Sequence, residues 1–113
     1  MPVIEFMQRI IVKNLTNGSL TNIQLTHDGE GNGNYKSIIK ELKSNEFREI
    51  SLYTLRANKL CNLILTYTYE GITKTVIVHD KLNSNDLRLI TLKINEEKEG
   101  ISIDTIIDNN LWK

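Results

Sequence analysis

Cys61 and Asn62 open one β-favouring run, and His79 and Asp80 close the next. Together they supply a thiol, an amide, an imidazole and a carboxylate, the residue types used by thiol hydrolases. Thiolate chemistry needs the imidazole within hydrogen-bond reach of the sulfur, so strand register decides whether the four can cooperate. The intervening segment, N-L-I-L-T-Y-T-Y-E-G-I-T-K-T-V-I-V-H-D over 62–80, reads as a β-hairpin with Glu70 and Gly71 as its two loop residues. Tyr69 then faces Ile72, Tyr67 faces Lys74, Leu65 faces Val76 and Leu63 faces Val78 on a core side. The other side pairs Thr68 with Thr73, Thr66 with Thr75, Ile64 with Ile77 and Asn62 with His79. In this register Cys61 lies opposite Asp80 and projects to the Leu63 side, while His79 projects to the Ile64 side, with the sheet between them. Cys61 is therefore expected to be a small, largely buried hydrophobe and not a nucleophile. A one-residue bulge at Glu70 or near Asn62 is the change that reverses this facing.

The glycine-rich run D-G-E-G-N-G-N, residues 28–34, carries Asp28, Glu30, Asn32 and Gly33 at the spacing of the first half of an EF-hand calcium loop. Its twelfth position is Ile39 where a bidentate glutamate is needed, so a polar loop is expected and no metal. A phosphate-binding glycine loop requires Gly-Lys-Ser in sequence, yet Asn34 and Tyr35 separate Gly33 from Lys36-Ser37. A dinucleotide fingerprint requires a βαβ unit that this β-rich chain does not offer, so no cofactor is expected. His27, beside the loop, has no second ligand type at metal spacing and is expected to be exposed. Asn14-Leu15-Thr16 and Asn17-Gly18-Ser19 match glycosylation acceptors, and hairpin turn chemistry is expected to account for both. Tyr67 and Tyr69 share one strand face, where core packing with hydroxyls reaching the edge is expected. With Trp112, expected to anchor the tail or hook a partner, they are the candidate binding residues.

The elements that position these residues are short and punctuated. Arg9 to Lys13 is a β-branched run ending at Asn17-Gly18, a tight-turn signal. In L-T-N-I-Q-L-T, Ile23 and Leu25 alternate with polar neighbours at the period of a half-buried strand. Tyr35 to Leu42 fits a helix through Tyr35, Ile38, Ile39 and Leu42 and a strand through Ile38, Lys40 and Leu42; the surrounding β pattern favours the strand. K-S-N-E turns the chain at 43–46, Phe47 to Leu55 places Ile50, Leu52 and Thr54 on one face, and 56–59 is a polar loop. After the hairpin, Ile90, Leu92 and Ile94 share a face. Asn95 to Gly100 turns again, and Ile101, Ile103, Thr105 and Ile107 point one way.

Length and composition bound the rest. A chain of 113 residues fits one domain, residues 1–113, with a single core. Fourteen basic and fourteen acidic residues leave zero formal net charge with no Lys/Arg block, which argues against nucleic acid. No apolar run has the length of a transmembrane helix, and M-P-V-I-E-F-M-Q-R-I has no signal-peptide pattern, so no membrane role and a cytoplasmic location are expected. The one cysteine excludes an internal disulfide.

Seven or eight strands with turn signals between them predict an all-β antiparallel sandwich. The order I-I-V-K-N-L-T, L-T-N-I-Q-L, I-I-K-E-L-K-S-N-E-F-R-E-I-S-L resembles small bacterial immunoglobulin-like or fibronectin-like sandwiches over the first half of the chain. Such domains show V-x-N-x-[ST], a strand, I-x-x-L, a turn with Glu and I-x-L. The Cys, Trp, Cys framework of antibody-type domains is absent, since Trp112 lies at the far end. The resemblance implies an immunoglobulin-like sandwich and, by analogy, a binding role. The expected function is a non-catalytic binding or assembly module that offers an edge strand or loops to a protein partner or to itself. The alternative is a small hydrolase or transferase with a site of unfamiliar form.

Overall fold

In a computed structural model, described for residues 7–28, 36–53, 61–82 and 88–108, alternating apolar runs form eight strands and no helix among the described residues. These are β1 (Met7–Leu15), β2 (Leu20–His27), β3 (Lys36–Leu42), β4 (Phe47–Tyr53), β5 (Cys61–Tyr69), β6 (Ile72–Leu82), β7 (Leu89–Glu97) and β8 (Gly100–Asp108). One sheet has the order β4-β1-β7-β8 and the other β3-β2-β5-β6. Every pair is antiparallel except β1 and β7, which run parallel with Ile10 beside Ile90 and Val12 beside Leu92. The expected antiparallel sandwich is thus corrected to one antiparallel and one mixed sheet. The apolar alternation of β7 and the continuous Ile10-Ile11-Val12 run of β1 mark both as strands but carry no information on direction.

The core is where the inner faces meet. Ile10, Val12, Ile90, Leu92 and Ile94 come from the mixed sheet, and Leu25, Leu63, Leu65 and Tyr67 from the other, all buried. The expected facing of β7 and of Leu52 in β4 holds. Residues 54–60, which include Thr54, lie outside the described residues.

Residues 36–42 form a strand, but its inward residues are Ile39 and Leu42 while Ile38 is 55% exposed, which corrects the expected Ile38, Lys40, Leu42 face. The cause lies in β2. Asn22 has φ 51°, and the register between β2 and β5 shifts between Thr21 and Gln24. This bulge turns Leu20 and Ile23, three residues apart, onto one side. β3 stays in register with β2 through the bend, Leu20 beside Leu42 and Ile23 beside Ile39, so its buried residues are also three apart.

The Asn17-Gly18 signal does not close a hairpin. β1 and β2 belong to different sheets, and residues 16–19 carry the chain across the sandwich. Asn14, fully buried, organises the crossing. Its Nδ2 donates to Gly18 O at 2.9 Å and Leu42 O at 2.8 Å, and its Oδ1 accepts from Thr16 N at 2.9 Å and the Thr16 hydroxyl at 2.6 Å. Its backbone accepts from Asn45 N and donates to Glu46 O, which ties the β3–β4 turn to the same point. The hairpin turn chemistry expected for Asn14-Leu15-Thr16 is thus corrected: the same kind of side-chain-to-backbone bonds hold a crossing between sheets.

Candidate binding cleft between strands β6 and β8

Among the described residues each sheet ends in two unpaired edges, and the edges are treated differently on the two flanks. On one flank β3 and β4 are joined by the Lys43–Glu46 turn, where Glu46 N donates to Lys43 O, and the Ser37 hydroxyl donates to Ser51 O. On the other flank β6 and β8 face each other across a cleft bridged by the Thr105 hydroxyl, which donates to Val78 O at 2.6 Å. Val76 and Val78 of β6 and Ile101, Ile103 and Ile107 of β8 pack against the core but stay only half-buried, and among the described residues no strand lies beyond them. Tyr67 forms the floor beside Lys74 and Ile101. Ile72 and Ile77, each 61% exposed, extend the apolar surface along β6.

The hairpin that builds β6 follows the expected register from its turn to Ile64 opposite Ile77. Glu70 and Gly71 both have positive φ, 52° and 78°, the mirror-image turn whose twist suits a two-residue hairpin. Beyond Ile64 the register shifts twice, so Leu63 pairs with His79 and Cys61 with Leu82. The expected pairs Leu63–Val78, Asn62–His79 and Cys61–Asp80 are therefore corrected. Extra residues in β6 change which side chains share a face past the bulge, so the expected placement of Cys61 and His79 on opposite sides of the sheet is corrected as well. Cys61 is half-buried and its thiol donates to Leu82 O at 3.3 Å. Asn62 is engaged elsewhere: its N and Nδ2 donate to the Asp28 carboxylate at 2.7 and 2.8 Å. These bonds hold the Asp28 carboxyl below the usual carboxylate range.

Of the candidate binding residues, Tyr67 is buried, and burial pushes its phenol up. Tyr69 stands at the mouth of the cleft, where its hydroxyl donates to Glu96 Oε1 at 2.8 Å and Asn17 N donates to the same oxygen at 3.0 Å. The Asn17 and Tyr69 bonds hold the Glu96 carboxyl low, and the bond to Glu96 holds the Tyr69 phenol up. Gly18 leaves room for the tyrosine ring, since a Cβ there would sit 3.1 Å from Tyr69 Cε1. The clasp links β5, β7 and the β1–β2 crossing, so Tyr69 is a structural tie at the cleft's end. Trp112 lies outside the described residues, as do Glu30, Asn32, Gly33 and Arg56 to Lys59.

His27 is 1% exposed, which corrects the expected exposed loop histidine. β2 runs through it, and the parity that buries Leu25 also turns His27 inward, opposite Leu63. Among the described residues no three His, Cys, Asp or Glu side chains are grouped to hold a metal ion. The sequence reading missed that β6 and β8 are edges of one cleft. The available signal was Lys74, a charge within the inward row Ile72, Lys74, Val76, since inward charges are a device of edge strands.

No protein-family model matches the chain, and no curated protein matches it in sequence. Among solved structures it is similar to one described as the NMR structure of the protein from Eubacterium rectale, with 16% identity, 93% of this chain and 92% of that chain covered, and a TM-score of 0.61. At that identity the likeness is one of fold.

Proposed function

We propose that this chain is a non-catalytic binding or assembly module that engages a protein partner through the edge of β6 and the cleft it shares with β8. One observation carries the reading: among the described residues two unpaired edges flank half-buried aliphatic side chains on one flank, while a turn joins the edges on the other. Added strands bind through main-chain hydrogen bonds and gain selectivity from alternate side chains entering such clefts. We read the sandwich as immunoglobulin-like, which rests on two stacked four-stranded sheets and on V-x-N-x-T at Val12 to Thr16 ending β1 and leading into the crossing between them. A bacterial, cytoplasmic setting belongs to the same proposal; the sequence resemblance supports the first and a cysteine count of one, which admits no internal disulfide, supports the second.

The test is affinity capture from native lysate with the wild-type chain and with Ile103→Lys, which places a charge in the cleft without entering the fully buried core. A stoichiometric partner lost with the variant is the expected result. A partner retained by the variant removes the cleft from the reading, and turnover on a substrate panel without any partner overturns the non-catalytic reading.

A further inference from the structure

The backbone of β6 specifies where an added strand bonds. In a two-residue hairpin the residues flanking the turn exchange both main-chain hydrogen bonds, and such pairs recur at every second position. With Tyr69 opposite Ile72, the bonded pairs are Tyr69–Ile72, Tyr67–Lys74 and Leu65–Val76. The N–H and C=O groups of Thr73, Thr75 and Ile77 therefore point to the free edge. The run ends at the register shift after Ile77, where the Val78 carbonyl is taken by Thr105. An incoming strand has five residues of regular edge, Thr73 to Ile77. Its side chains opposite Lys74 and Val76 enter the cleft toward Ile101 and Ile103, which line it with them.

Lys74 sets the chemistry of the occupant. It has no ion pair among the described residues, although it lines the cleft mouth with Glu70 and Glu96. Glu96 already accepts from Tyr69 and Asn17 through one oxygen. An apolar strand laid along β6 would draw this ammonium from water without supplying a counter-charge, which works against such an occupant. A second copy of β6 meets the same obstacle. When Thr73–Ile77 is used on both copies, Lys74 falls opposite a valine or a second lysine. Inward charges and bulges are the means by which edge strands resist self-pairing.

We propose that the β6 edge accepts an extended segment bearing a carboxylate opposite Lys74 and an aliphatic residue two positions away, opposite Val76. This rests on the edge-strand reading above and names the partner's chemistry: a peptide strand with aliphatic, any, Asp/Glu spacing. Desolvated charge complementarity of this kind governs register and selectivity more than raw affinity.

The test is selection of a displayed heptapeptide library against the purified full chain and against Lys74→Glu, whose thermal midpoint is checked first. Lys74 is exposed, so the variant is expected to fold. The expected result is enrichment of Asp or Glu over Lys by about tenfold at one position with Val, Ile or Leu two residues away, and a switch to Lys or Arg with the variant. Synthetic copies of the selected peptide, N-methylated on alternate amides, then show whether the main chain is used. The set methylated on the amides facing β6 is expected to lose binding, and the other set to keep it. Enrichment without a carboxylate, or unchanged in Lys74→Glu, overturns the charge inference and leaves the edge reading standing if N-methylation still abolishes binding. Binding indifferent to both methylation sets, or no peptide retained, overturns the edge reading itself. Concentration-dependent dimerisation abolished by Thr75→Pro but kept by Thr75→Val overturns the choice of occupant, since proline removes an edge-facing N–H while both variants lose the hydroxyl contact with Thr66.

Discussion

Asn14 satisfies four local partners with one buried amide, and each partner is itself a backbone or hydroxyl group removed from water. Leaving such groups unpaired costs about 1–3 kcal/mol each before relaxation, so Asn14→Ala is expected to destabilise the fold by about 3 kcal/mol or more, measured by urea denaturation. Asn14→Asp keeps the acceptor but loses both donors and should fall close to the alanine value. On β5 the same logic separates neighbours. Leu65 is fully buried, whereas the Thr66 hydroxyl pairs with Thr75 at 3.0 Å on the outer face. Leu65→Ala is expected to cost about 2–5 kcal/mol and Thr66→Ala under about 1, and equal losses would contradict the facing. The clasp at Glu96 gives a pH signature. Its folded carboxyl titrates below the unfolded value, so its contribution is present above about pH 4.3 and is lost as pH falls through the lower folded value. The Tyr69 phenol is raised, so its share is present below about pH 10 and lost above. Glu96→Gln should therefore differ from wild type in denaturation midpoint near neutrality and converge with it in acid; a constant offset at all pH would exclude the carboxylate as the source.

At the scale of elements, the β5–β6 turn carries a mismatch between residue and backbone. Glu70 adopts positive φ, a conformation that disfavours most side chains and that asparagine tolerates. Glu70→Asn is expected to stabilise by about 0.5–1 kcal/mol, seen as a raised thermal midpoint. β6 should also show alternating amide protection in hydrogen exchange. Lys74 and Val76 bond to β5 and exchange slowly, while Thr73, Thr75 and Ile77 face the free edge and exchange fast. Uniform protection along Thr73–Ile77 would mean the edge is already covered. The hairpin was legible as far as Ile64 because a two-residue turn propagates register by counting. It ceased to be legible at the bulge, since an extra residue in β6 is set by how the strand bends over the core and not by the residues opposite it.

For the molecule as a whole, the mixed sheet joins β1 to β7 across 80 residues of sequence, from Ile10 to Ile90. Loop closure of that length precedes the contacts that reward it, so refolding is expected on the milliseconds-to-seconds scale of sandwiches, measured by stopped-flow tryptophan or far-UV signals. The alternation of Ile90, Leu92 and Ile94 and of Leu63, Leu65 and Tyr67 determined by itself that these strands build a layered β protein and which of their side chains fill it, because burial parity is a local property of a strand. Turn residues likewise located the reversals at Lys43–Glu46 and Glu70-Gly71. Only the tertiary structure decided that β1 and β7 run parallel, that Asn17-Gly18 crosses between sheets, that His27 is buried, and that β6 and β8 end as neighbouring open edges. Direction, sheet membership and edge position depend on which distant strand arrives alongside, and a strand's own alternation is the same whichever neighbour it meets.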